Sequence, residues 1–186
     1  MAFIKQNKMM EGTSGTIGNV TFSVRKDKTV SGPRRGPSTK PPTENQVAVQ
    51  LKFERSLAYA QEAMSDPVKK LLYEKAATGG QTAYNAAFRD AARPPRILEI
   101  DTKKYQGLVG NVIRILVKDV VRVESVKVTI LSAAGAELEQ GDAVPGTGNF
   151  WNYTVTAANA ALPGTRVVAT AMDLPGNTTE KTSTIS

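Results

Sequence analysis

Residues 125–131 read SVKVTIL. Val126, Val128 and Ile130 fall on one side of an extended chain and Lys127 and Thr129 on the other, the two-residue period of a strand with one buried face. Such a strand needs partners, and the chain on either side supplies them. Trp151, Tyr153 and Val155 alternate with Asn152 and Thr154 in the same way. Further strands are expected at 97–101, 112–117, 136–140, 150–157, 166–172 and 178–185, with Gly107, Gly110, Gly135, Gly146, Gly148, Pro163-Gly164 and Pro175-Gly176-Asn177 as turn signals between them. Seven short strands at this spacing are the pattern of a β-sandwich. The only Trp, Trp151, is expected as a core plug with Tyr153 beside it.

Upstream the period changes from two to between three and four. Thr43 with Gln46 three residues later forms a capping box, so a helix is expected to open there. Val49, Phe53, Leu57, Ala60 and Met64 then make an apolar stripe. Ser65-Asp66-Pro67 marks a second start, with Val68, Leu71, Leu72 and Ala76 expected inward. Thr78-Gly79-Gly80 ends that helix, and a third over 82–92 carries Tyr84, Ala87, Phe88 and Ala91 on one face until Pro94-Pro95 stops it. Three short helices make a small bundle whose long stripe exceeds what two short partners cover, and the hairpin is a candidate to fill that gap.

The first 42 residues fit neither pattern. Val20, Phe22 and Val24 alternate with Thr21, Ser23 and Arg25 as a strand with one apolar face, and Thr29 and Val30 begin a return strand. A lone hairpin is marginal in water, so this one must dock on something. Gly32-Pro33, Gly36-Pro37 and Pro41-Pro42 forbid continued helix or ladder, which leaves an extended strap. Arg25, Lys26, Lys28, Arg34, Arg35 and Lys40 project from the hairpin and strap.

The chain has 186 residues, 40% hydrophobic and 22% charged, with no apolar run approaching a membrane span. Its net charge of +7 is uneven. Residues 1–43 hold eight Lys or Arg against two acids, 44–104 ten against eight, and 105–186 six against seven. The basicity belongs to the arm, and an arm of that charge is drawn to phosphate, to an anionic surface or to an acidic protein. Lys5 and Lys8 are not followed by the apolar run of a secretory signal. Synthesis in the cytoplasm is expected, with an extracellular or virion assembly left open as the destination.

There is no Cys and no His, which removes disulfides, thiolate metal sites and the commonest general base and zinc ligand. The run Gly12-Thr13-Ser14-Gly15-Thr16-Ile17-Gly18 lacks the Gly-Lys-Ser or Gly-Lys-Thr ending of a phosphate loop and leads into a strand. Glu137 and Glu139 share a face of an expected strand, where a surface edge explains them as well as an acid and base pair does. Asp119, Asp142 and Asp173 fall near strand ends without the spacing of a calcium loop. No catalytic, cofactor or metal residue is assigned.

The segments GNVIRILVKDVVRVESVKVTI (110–130), FWNYTV (150–155) and PGTRVVATAMDLPGNTTEKT (163–182) resemble the bacterial immunoglobulin-like repeat. In that repeat an alanine-threonine-alanine-x-aspartate-x-x-glycine-asparagine phrase closes the domain, here Ala169 to Asn177. The resemblance covers roughly the last 80 residues. Residues 15–20, the basic strap and the helix opening with Gln46 and Gln50 resemble uncharacterised bacterial and phage proteins that place such a segment before immunoglobulin-like domains. The resemblance implies a display or assembly part.

The expected class is thus α+β and multidomain. A β-hairpin and basic Pro/Gly-rich arm occupy 1–42, a helical region 43–95 and a seven-stranded immunoglobulin-like β-sandwich 96–186. The expected function is a non-catalytic structural protein of a filament, fibre or virion, a homo-oligomer or larger assembly joined through the arm residues Val20, Phe22, Val24, Arg25, Lys26, Lys28, Arg34, Arg35 and Lys40. The rival reading is a nucleic-acid or anionic-surface binder that uses the same basic arm.

Overall fold

The computed structural model describes residues 2–3, 12–25, 28–37 and 40–186. The protein is α+β, with three helices and three antiparallel four-stranded sheets, none closed into a barrel. It divides into two compact units, Met1–Glu44 and Asn45–Ser186.

The first unit is one sheet of β1 (Ala2–Phe3), β2 (Gly15–Ile17), β3 (Val20–Arg25) and β4 (Lys28–Pro33), in the order β1-β4-β3-β2. The expected hairpin is β3 with β4. It is not alone: β2 and β1 flank it, because a single apolar face on two strands leaves both edges open. Gly18 at φ +56° opens the two-residue turn from β2 to β3, where a side chain would be strained. The ladder also runs through Gly32 to Pro33, further than the sequence suggests. Pro33 is its last residue, so the missing N–H interrupts no interior bond.

The second unit begins with α1 (Glu44–Ser65), α2 (Pro67–Ala76) and α3 (Ala83–Ala91). The α2 start is as expected: Asp66 accepts hydrogen bonds from the Val68 and Lys69 N–H groups, with Pro67 at the first helical position. Thr82 caps α3 by accepting from the Asn85 N–H. Tyr73 is fully buried among Ala60 and Ala63 of α1 and Ala86 and Ala87 of α3. Small side chains let the three helices close around one aromatic ring.

The expected stripes are corrected here. Val49 and Phe53 of α1 are 68% and 56% exposed, and Leu57 is open as well. At about 1.5 Å per residue, helices of 10 and 9 residues are too short to cover one of 22. Only the C-terminal part of α1 is lined, and Phe53 leans edge-on against Phe88 with ring centroids 5.1 Å apart. On α2, Val68 and Leu71 point outward, because Tyr73 takes the inward face.

The rest of the unit holds β5 (Arg96–Asp101), β6 (Val112–Lys118), β7 (Val123–Leu131), β8 (Glu137–Asp142), β9 (Val144–Pro145), β10 (Phe150–Thr154), β11 (Arg166–Asp173) and β12 (Thr178–Thr184). Each expected strand has a counterpart, and β9 makes eight. One sheet runs β5-β6-β10-β9 and the other β12-β11-β7-β8. Val126, Val128 and Ile130 are fully buried, opposite Ala171, Ala169 and Val167 of β11. They share a core with Ile113, Ile115, Val117, Tyr153 and Val155 of the other sheet and its continuation. Trp151 is only half-buried and packs at the edge of that core.

Two bulges break the simple alternation. A register shift between Ile97 and Glu99 lets Ile97 and Ile100, three apart, both point inward. A second, at Leu138, puts Glu139 on the core face opposite Ile130 and leaves Glu137 exposed. The expectation that Glu137 and Glu139 share a surface face is therefore overturned.

Gly107, at φ +74°, accepts a hydrogen bond from the Asn159 N–H at 2.8 Å. A Cβ there would lie 2.0 Å from the Asn159 carbonyl oxygen. Gly107→Ala is expected to lower the unfolding free energy by about 1–3 kcal/mol, read from urea melts. An unchanged midpoint would refute the packing described.

Candidate functional site

The arm residues lie as follows. Val20 and Val24 are exposed on β3, and Ile17, paired with Val20 across the sheet, extends the same open apolar face. Phe22 is half-buried. Arg25 and Lys28 pair at the end of the hairpin, and Arg34, Arg35 and Lys40 are exposed on the strap. Lys26 lies outside the described residues. The Arg34 N–H donates to the Asn19 carbonyl at 2.7 Å, which ties the start of the strap back to the β2–β3 turn. Gly12 to Gly18 spans β2 and its turn, with no helix following as a phosphate loop needs.

In the second unit the polar chemistry collects where the helices meet the strands. Asn177 donates through Nδ2 to Asp173 Oδ2 at 2.8 Å, and its N–H donates to Asp173 Oδ1 at 2.6 Å. The same Nδ2 reaches the Ala91 carbonyl at 3.2 Å. That carbonyl belongs to the last turn of α3, which has no intrahelical donor, so the Asp173 to Asn177 turn caps a helix from another part of the chain. Val121 and Leu174, from the β6–β7 and β11–β12 connections, pack against the helical core beside it.

Behind this cap Tyr73 donates to Asp90 Oδ2 at 2.8 Å and lies 2.9 Å from the Tyr59 hydroxyl. Asp90 is wholly buried. Burial pushes its carboxyl up to about 7; Tyr73 pulls the other way, while nearby Asp119 and Asp173 add to the rise. Burial also raises Asp119, Asp173, Tyr59 and Tyr73. These hydroxyls are poor acids.

Tyr59 opens on a groove of about 570 Å³ between α1, the end of α3 and the Pro175–Thr178 turn, with Leu51, Arg55 and Ser56 on its wall. Asp119 and Asp173 approach one buried region, whereas Asp142 is exposed on β8. Among the described residues no group of three or more His, Cys, Asp or Glu could hold a metal ion.

Glu139 is buried, and one oxygen, Oε2, accepts from the Tyr153 hydroxyl at 3.1 Å, the Thr156 N–H and hydroxyl at 2.7 Å each, and the Ala157 N–H at 3.2 Å. It pins the chain after β10 to β8. Burial, with Glu139 beside it, pushes Tyr153 up to about 12.

Sequence reasoning missed Asp90, Tyr73 and the capping role of Asn177. Their signal was faint: an Asp at the end of a helix and an Asp-x-x-Gly-Asn turn look local until the fold brings them together.

No family model matches the chain, and no curated protein or solved structure is similar to it at a significant level. No helix of the described residues is long and apolar enough to cross a membrane.

Asn177→Ala is expected to cost about 1–3 kcal/mol, because it strips the Asp173 carboxylate and the α3 end of a shared donor. Equal urea midpoints for wild type and variant would contradict the cap. A pH dependence follows from Asp90. The folded chain holds its proton above the ordinary aspartate value of 3.8, where the unfolded chain has released it. This group's contribution is therefore largest below about pH 4 and declines as pH rises to about 7. Asp90→Asn, whose amide oxygen still accepts from Tyr73, is expected to flatten that decline between pH 4.5 and 8 in urea melts. A parallel profile in wild type and variant would rule Asp90 out as its source.

Proposed function

We propose that the chain is a non-catalytic structural protein in which residues 96–186 form an immunoglobulin-like β-sandwich for display, and the N-terminal sheet attaches each copy to its neighbour. Strand order supports the first part. The sheet β5-β6-β10-β9 corresponds to strands A, B, E and D of an immunoglobulin-like domain, and β12-β11-β7-β8 to G, F, C and C′. The inner faces of both sheets feed one core.

The attachment rests on a single observation: the chain carries two exposed apolar surfaces of different kinds. One is the open sheet face of Ile17, Val20 and Val24, and the other the stripe of Val49, Phe53 and Leu57 on α1. Contiguous apolar surface marks interaction sites. The outer strand β2 also has a sheet neighbour on one side only. A sheet of one copy laid on the helix stripe of the next is a heterologous contact, which closes into a ring or propagates as a filament.

Negative-stain microscopy and light scattering of the full chain near physiological salt are expected to find ordered oligomers, and a chain lacking residues 1–42 is expected to be monomeric. The same oligomeric state in both sinks the arm as the joint.

The exposure of Arg25, Lys28, Arg34 and Arg35 favours a second reading, binding of nucleic acid or another anionic surface through the arm. It requires binding to duplex DNA that weakens steeply with salt and is lost in the Arg34→Glu, Arg35→Glu double variant. Salt-independent binding argues against it.

A further inference from the structure

Away from the arm, four cations converge where α3 hands over to β5. Arg89 and Arg93 lie four apart at the end of α3, and Pro94-Pro95 turns the chain so that Arg96 opens β5. Arg96 pairs directly across the sheet with Lys118, the last residue of β6. All four line one cleft of about 580 Å³, together with Pro94, Asp119 and Val120.

This arrangement opposes folding. Arg93 lies just past the end of α3, while Arg96 and Lys118, like charges directly opposite on neighbouring strands, destabilise the strands that carry them. Among the described residues none of the four makes an ion pair. The Arg89 Nε–H is sealed from solvent with no acceptor. A buried guanidinium donor without a partner is costly, and Arg89 lines the cleft with three exposed cations that make no ion pair. Local rules broken together in a concave site point to a ligand that satisfies them.

We propose that this cleft binds a small oxyanion of the diphosphate class. Two cation pairs, Arg89 with Arg93 at and just past the end of α3 and Arg96 with Lys118 on the strands, match two phosphoryl groups, and the arginine forks suit phosphate oxygens. Asp119 is the one acidic residue in the lining, with Asp90 and Asp173 near it. Its oxygens are enclosed, and the Val120, Val121 and Arg122 N–H groups approach them without forming well-aligned hydrogen bonds. Burial raises its pKa above the ordinary carboxyl value, because desolvation disfavours the charged form, and four cations outnumber this single acid in the lining.

The test is calorimetric titration and thermal melting of the full-length chain with pyrophosphate, against sodium chloride of matched ionic strength. Pyrophosphate is expected to raise the melting temperature more than chloride does. Arg96→Gln is expected to weaken pyrophosphate binding on the order of tenfold or more. Without ligand it should melt no lower than wild type, since it removes a repulsion. Arg93→Gln, at an exposed position just past α3, gives a second variant should Arg96→Gln fold poorly. The arm variant Arg34→Gln, Arg35→Gln should bind as wild type does. Equal effects of pyrophosphate and chloride, unchanged affinity in Arg96→Gln and Arg93→Gln, or loss of binding in the arm variant would each overturn the proposal.

Discussion

The second unit hangs on the side chain of Asn177. Its amide answers the Asp173 carboxylate within its own turn and also reaches the Ala91 carbonyl at the end of α3, a residue 86 positions away. A helix end needs donors for its last carbonyls, and a tight turn at a strand end needs a partner for its carboxylate. One side chain meets both needs, so the helices and strands are joined by a directional contact as well as by apolar packing. The handover from α3 to β5, the burial of Asp90 and the cluster of cations at that junction all depend on where this contact holds α3.

That junction concentrates groups that an ordinary core avoids. Asp90 and Asp173 are buried there, and Arg89, Arg93, Arg96 and Lys118 gather in one cleft with Asp119. Few of the pairings that would offset these charges are made within the described residues. Within the sheets, the buried Glu139 has four donors on one oxygen, while its other oxygen is enclosed without a partner. Most of the buried side-chain atoms left without a partner among the described residues belong to Arg89, Asp90 and Asp119, where helix meets strand.

The apolar surface is divided in a similar way. The sheets bury Val126, Val128, Ile130, Ile113 and Ile115 completely, whereas α1 leaves Val49 and Phe53 open because its neighbours are half its length. The N-terminal sheet has an open apolar face of its own. These two open surfaces are the ones on which the proposed assembly role rests.

The sequence by itself determined the strands and helices and much of the C-terminal core. Period-two alternation at Val126, Val128 and Ile130 and turn residues such as Pro175-Gly176-Asn177 are local signals, carried by neighbours in the chain. It determined the Asp66 cap and the break at Pro94-Pro95 for the same reason. Tertiary structure alone decided which apolar residues of α1 and α2 are covered, since helical period names a face but not the length of what lies against it. It also decided that Glu139 turns inward, because a bulge one residue long reverses the alternation that sequence reading assumes. The junction of Asn177 with α3 and the meeting of Arg89, Arg93, Arg96 and Lys118 are contacts between distant segments. No local pattern encodes them, and only the folded chain brings their charges close enough to matter.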